Sequence, residues 1–207
     1  VPGLNAAFVD VGYEKDAFLH YHDLGPKAKS LQKYISEGIT GKRESGLLND
    51  FEIQPEIDKN GKIDQVLKAN RFMLVQIAKE PISTKGPRLT CEISIAGRFI
   101  VLVPFSDRIS VSQKIKSREE RERLRRLISS IRPKNFGVIV RTVAENKKVA
   151  ELDADMRNLT ERWKKSFENF TSTKPPQKVL GEIDRTDAIL RDLLSPSFNQ
   201  IAVDSQE

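Results

Sequence analysis

Along the first hundred residues the hydrophobic positions come in short runs, and along the second hundred they come in longer stripes at helical spacing. Residues 6–11 read as a strand, 12–16 as a turn rich in glycine and charge, and 17–20 as the returning strand of a hairpin. From about residue 25 to 61 the pattern dissolves into Lys, Ser, Gly, Asn and Asp without a sustained period. This predicts a long insertion with one helical turn around 31–35. Residues 72–77 and 89–95 are two more strands, separated by a basic turn at Lys85, Gly86, Pro87 and Arg88. Four short strands with such turns predict a small antiparallel β-barrel of the OB type, incomplete because a fifth strand would precede Val1.

After Gly97 the texture is mixed α/β. A strand is expected at 99–103 and another at 138–140, within the glycine-led run from Phe136 to Val140. Between them Ser117 and Glu120 form a capping-box pattern ahead of Leu124, Leu127, Ile128 and Ile131, and Pro133 stops the helix. A longer helix, about 150–170, carries Leu152, Met156, Leu159, Trp163 and Phe170 on one stripe and ends before Lys174, Pro175 and Pro176. A strand at 179–180, a helix with Ile189, Leu190, Leu193 and Leu194, and a strand at 201–203 complete the expectation. The fold class is therefore α+β: a barrel domain over 1–95 with its insertion, then a mixed domain over 96–207.

Composition narrows the functional classes. Thirty-five Lys and Arg against 29 Asp and Glu give a net charge of +6, which favours nucleic acid over another acidic partner or a neutral metabolite. No apolar run approaches the length of a membrane span, and no charged segment precedes an apolar one in the manner of a signal peptide. The opening at Val1, without Met, suggests a piece of a longer protein. The single cysteine, Cys91, excludes an internal disulfide; a buried, inert thiol in a reducing cytoplasm is expected.

Catalytic chemistry is poorly supported. His20 and His22 alternate on a strand end without a third ligand at metal spacing, and Asp10, Glu14 and Asp16 fit a solvated turn. Binding is better supported. Arg141 and Thr142 follow a stiff buried strand, and a guanidinium beside a hydroxyl can grip a terminal phosphate; an ordinary solvated strand end is the alternative. Phe8 and Phe18 can stack bases or pack inside a barrel, and Lys85 and Arg88 can meet phosphates or water. The basic run from Lys114 to Arg126 can steer a polyanion, although interleaved Arg and Glu also suit a solvated helix face, with Lys114 a separate candidate before the cap.

Taken in order, five motifs resemble the N-terminal part of the ribonuclease E/G family, closest in wording to the ribonuclease G branch of Bacteroidetes-type bacteria. They span Pro2 to Gly12, Ala17 to His20, Lys85 to Thr90, Ile95 to Phe99 and Gly137 to Thr142. The resemblance implies an OB-fold RNA-binding domain followed by a sensor of the RNA 5′-monophosphate. By the same resemblance Phe8, Phe18 and Lys85 contact RNA, Arg141 and Thr142 hold the terminal phosphate, and Gly97 and Val101 line the sensor pocket. Where the family often has two consecutive basic residues this chain has Gln113 and Lys114, so a second phosphate contact would be weaker or fall to Lys114. The family further implies a Mg²⁺-dependent catalytic domain and an inter-protomer Zn²⁺ link beyond Glu207, hence an endoribonuclease of rRNA processing and mRNA decay, homo-oligomeric at full length, with this chain inactive alone. A non-catalytic OB-fold RNA-binding protein of translation or ribosome assembly is the alternative function. A structural interaction module, recruiting a protein through the insertion, is a third.

Overall fold

The expected hairpin forms. β1 (Ala6–Val9) pairs antiparallel with β2 (Ala17–His20) and sets Phe8 directly opposite Phe18. In this computed structural model, which describes residues 1–83, 85–181, 188–190, 193 and 197–202, β2 then pairs in parallel with β4 (Arg88–Thr90). β3 (Gln76–Lys79) completes the order β1-β2-β4-β3. The expected antiparallel barrel is thus corrected to an open mixed sheet among the described residues. A parallel neighbour requires a long crossover, and the segment between β2 and β3 supplies one.

That segment corrects a second expectation. Residues 25–61 are not an unstructured insertion: they carry helix α1 (Ala28–Ile39), which buries Ala28, Leu31, Tyr34 and Ile35. Beyond it Leu48 and Phe51 enter the core. Trp163 Nε1 donates to the Gly46 carbonyl at 2.8 Å and the Tyr34 hydroxyl donates to the same oxygen at 3.1 Å. The Asn135 amide donates to the carbonyls of Leu48 and Phe51, both at 2.8 Å. These bonds satisfy irregular buried backbone, which otherwise carries a large desolvation cost. The short helix α2 (Ile63–Val66) is tied to the chain start, where the Asn5 side chain accepts from the Ile63 amide at 2.8 Å.

The expected strand 72–77 begins only at Gln76, with Phe72 exposed. The expected strand 89–95 is interrupted because the Asp23 carbonyl takes both the Cys91 amide, at 2.8 Å, and the Thr90 hydroxyl, at 3.0 Å. Burial, reinforced by the nearby Asp23 charge, pushes the Cys91 thiol up to about 12, so it stays protonated and unreactive at neutral pH.

The chain then enters a second sheet of order β5-β6-β8-β7, built from β5 (Ile95–Ala96), β6 (Ile100–Pro104), β7 (Ile109–Val111) and β8 (Phe136–Val140). β7, not foreseen from sequence, runs parallel to β8. Helix α3 (Arg118–Ile131) packs on β7 and helix α4 (Val149–Ser172) on β6. Ser117 caps α3 by accepting the Glu120 amide at 3.1 Å. The Glu120 carboxylate does not complete a capping box. It holds Arg123 at 2.6 Å and the Asn146 amide at 2.8 Å, pinning α3 to the loop before α4.

Leu152, Met156, Leu159 and Trp163 of α4 are buried as expected, and the core they join is continuous across both sheets. No strand forms at Val179 and Leu180. The helix expected at 189–194 and the strand at 201–203 fall largely outside the described residues, and Ile201 and Ala202 are in no strand.

Tyr34 is fully buried, and its ring stacks on Trp163 with centroids 5.3 Å apart. Tyr34→Ala is expected to cost about 3–5 kcal/mol in urea unfolding, whereas a change in a true solvent-exposed insertion would leave the midpoint nearly unchanged.

Candidate nucleic-acid interface

Strand β8 delivers Arg141 from a rigid base, since Phe136, Val138 and Val140 are buried. The turn between β5 and β6 then holds Arg141 twice: its amide donates to the Phe99 carbonyl at 2.8 Å, and its Nη1 donates to the Gly97 carbonyl at 2.8 Å. The turn is itself held by Asp155 of α4. That carboxylate accepts the amides of Arg98, Phe99 and Ile100 at 3.2, 2.8 and 3.1 Å. A Cβ on Gly97 would lie 2.6 Å from both Asp155 oxygens, so the missing side chain is what admits the carboxylate. The close approach at Gly97 is made by this protein's own Asp155.

Thr142 follows, with its hydroxyl 2.9 Å from that of Ser112. Ser112 is bonded through its amide to the Val140 carbonyl at 2.9 Å, and its hydroxyl accepts the Lys114 amide at 3.4 Å. Together these residues open on a cleft of about 350 Å³ that also includes Lys114, Ile139 and Val143. Three of the sequence-derived candidates, Arg141, Thr142 and Lys114, therefore share one cleft. Gly97 and Val101 lie beside it: Gly97 through its carbonyl on Arg141, and Val101 as the cross-strand partner of Ile139.

The second feature is the hairpin. Phe8 is 55% exposed and Phe18 half-buried, with ring centroids 5.9 Å apart at 66°. Phe8 is thus a surface ring and not barrel core. The Pro87 carbonyl accepts the Phe18 amide at 2.8 Å, which brings the basic turn alongside. A Cβ on Gly86 would sit 2.3 Å from the Asp16 carbonyl oxygen, so only glycine lets the turn lie this close. Lys85 is exposed at its tip. Arg88 is instead engaged by Asp23, at 3.0 and 3.1 Å in a forked pair. On α3, Arg118 pairs with Glu122 and Arg123 with Glu120, as a solvated helix face would.

Among the described residues no group of three or more His, Cys, Asp or Glu side chains is placed to hold a metal ion. No helix among them is long and apolar enough to cross a membrane. Asp155 and Ser112 escaped the sequence reading: the Phe99–Asp155 contact spans 56 residues and the Ser112–Thr142 contact 30. A single Asp on a helix and a single Ser after a strand carry no periodic signal.

A model of the ribonuclease E/G family matches residues 94–207, more than half of the chain. The chain belongs to the ribonuclease E/G family. Over 206 residues it is 32% identical to ribonuclease G of Escherichia coli K12, covering 100% of this chain and 38% of that protein. It is 34% identical to ribonuclease E of a Nostoc species, covering 99% of this chain and 26% of that protein. It is 32% identical to ribonuclease E of a Synechocystis species, covering 99% of this chain and 27% of that protein. The chain thus spans well under half the length of these relatives. Near-equal identity to ribonuclease G and ribonuclease E assigns the family without choosing a branch.

Removing the Asp155 carboxylate orphans three backbone donors at once. Asp155→Ala in this family member is expected to lower the unfolding free energy by on the order of 2–3 kcal/mol, read by urea denaturation, with Asp155→Asn retaining part of the loss-sensitive bonding.

Proposed function

We propose that this chain binds single-stranded RNA and reads its 5′-monophosphate, as the RNA-binding and end-sensing portion of an endoribonuclease of RNA processing and decay. The observation that carries it is the cleft at the end of β8, where Arg141, fixed by the Gly97 and Phe99 carbonyls, stands beside the Thr142 hydroxyl and Lys114. A terminal monophosphate is compact and doubly charged, and a preorganised guanidinium with one hydroxyl donor suits it. Ser112 supports that use: if its proton goes to Thr142, the Thr142 proton points away, toward an acceptor in the cleft.

The hairpin supplies the second contact. Phe8 and Phe18 offer bases an exposed aromatic surface and Lys85 a cation next to it, which suits a strand of any sequence. On this reading residues 1–95, built on the open β1-β2-β4-β3 sheet, form the RNA-binding unit and residues 96–207 the sensor, with Gly97 and Val101 shaping its edge. The role derived for this chain is positional. Holding the end and the bases fixes where the strand runs, and orientation can supply a large part of a reaction barrier. Hydrolysis with Mg²⁺, and a Zn²⁺-linked homo-oligomer in the cytoplasm, are proposed for the full-length protein only. Family membership favours this over a non-catalytic RNA-binding protein of translation or ribosome assembly.

The test measures affinity for one short single-stranded RNA carrying a 5′-monophosphate, triphosphate or hydroxyl at fixed salt. The monophosphate is expected to bind best, with the preference lost in Arg141→Ala, a change of about tenfold to a hundredfold, and reduced in Thr142→Ala. Equal affinity of the wild-type protein for all three ends overturns the sensing role.

A further inference from the structure

The two phenylalanines of the hairpin are not the end of its aromatic surface. Phe18 lies 6.5 Å from His20 with planes tilted by 31°, and His20 lies 5.1 Å from His22 at 37°, centroid to centroid. Phe8, Phe18, His20 and His22 thus form an unbroken line of four rings running along β2 and into the 3-10 turn that follows it (Tyr21–Leu24). Phe18 and His20 alternate with Ala17 and Leu19, which are fully buried, so the line lies on the face of β2 turned from the core.

The far end of the line is held as firmly as the near end. Tyr21, between the two histidines, is buried; its amide donates to the Asn5 carbonyl at 2.9 Å and its hydroxyl donates to the Asp58 carbonyl. His20 Nδ1 accepts the His22 amide at 3.2 Å. A neutral imidazole that accepts through Nδ1 carries its proton on Nε2, which makes Nε2–H a donor. His22 is exposed. Each imidazole therefore offers a π-face, and His20 also offers a donor through Nε2, in register with the exposed ring of Phe8 and the half-buried ring of Phe18.

We propose that the single-stranded RNA track continues past Phe18 over His20 and His22, which stack two further bases. The occupant follows from the chemistry: a row of flat rings at successive spacings of 5.9, 6.5 and 5.1 Å, flanked by Lys85 on a basic turn, suits successive bases of an extended polyanion. This extension rests on the reading of Phe8 and Phe18 as a base platform, and it assigns a ligand class to two histidines whose spacing lacks a third metal ligand.

The experiment titrates the intact protein with 5′-hydroxyl oligouridylates of increasing length, so that end sensing does not contribute. Three histidine variants are compared: His22→Ala, His20→Asn and the double variant His20→Phe with His22→Phe. His20→Asn keeps an oxygen acceptor at the cap position for the His22 amide while removing the ring. Loss of one stacked base is expected to weaken binding about fivefold to tenfold for the longer oligomers, with the shortest ones unaffected. The Phe double variant is expected to bind at least as tightly as wild type, because any base stacks on any ring. Wild-type affinity of both single variants at every length, while Phe18→Ala still weakens binding, overturns the extension and leaves the platform standing. Wild-type affinity of Phe18→Ala as well overturns both. Equal weakening at all lengths also overturns the extension, since it marks a general disturbance of the hairpin, and unchanged melting temperatures accompany the supporting result.

Discussion

One carbonyl oxygen organises the interior. Gly46 O receives the indole N–H of Trp163 from α4 and the phenol of Tyr34 from α1, which joins the long crossover to the helix beneath the second sheet. A side chain at Gly46 would press 2.9 Å from the Phe167 Cβ and 3.1 Å from the Lys164 Cα, so the two segments meet backbone to helix. Around that point Phe51 and Phe105 meet Tyr34, and Phe136 meets Trp163, edge on face, while Phe167 and Phe170 lie tilted against Tyr34. Such contacts add to the apolar burial. Burial holds the Tyr34 phenol well above its ordinary range, so it serves as a donor at any physiological pH.

From that centre the order passes outward along α4. Trp163 fixes the helix against the crossover, and Asp155, two turns earlier, reaches the β5–β6 turn that grips Arg141. Asp155 is therefore the joint between the apolar interior and the charged cleft. On the other sheet a comparable joint is made by main chain alone: Pro87 against Phe18, and Gly86 against Asp16. Both candidate surfaces thus rest on glycines whose missing side chain lets another group in close.

What the sequence disclosed follows from physical range. Stripes with a helical period, such as Leu124, Ile128 or Leu152, Met156, Leu159, announced α3 and α4, and the β-branched run of β8 placed Arg141 at a strand end. The crossover helix is hard to see in the sequence because its N-cap residue, Lys27, makes no side-chain cap bond and Ser30, Ser36 and Gly38 lie among its apolar residues. Its later half sends only Gly46, Leu48 and Phe51 inward, without any regular period, and their carbonyls are satisfied by Asn135 and Trp163 from more than 80 residues away. The open mixed sheet was equally hidden, since four short strands read alike whether the third neighbour is parallel or antiparallel. Phe8, Phe18 and Arg141 were legible as types; Ser112 and Asp155, which position the cleft, were visible only once the chain had folded.

The span of α4 from Asp155 to Trp163 works as a strut of fixed length. Each residue advances the helix by about 1.5 Å and turns it by about 100°. A side-chain replacement at an exposed position between the two ends, Arg157, Asn158 or Glu161, leaves both docking points where they are. Adding or deleting one residue swings Asp155 off the β5–β6 turn while Trp163 keeps its seat. Drift within this helix is therefore constrained in composition only on its buried stripe and in count throughout: its outward letters can change, and its length cannot.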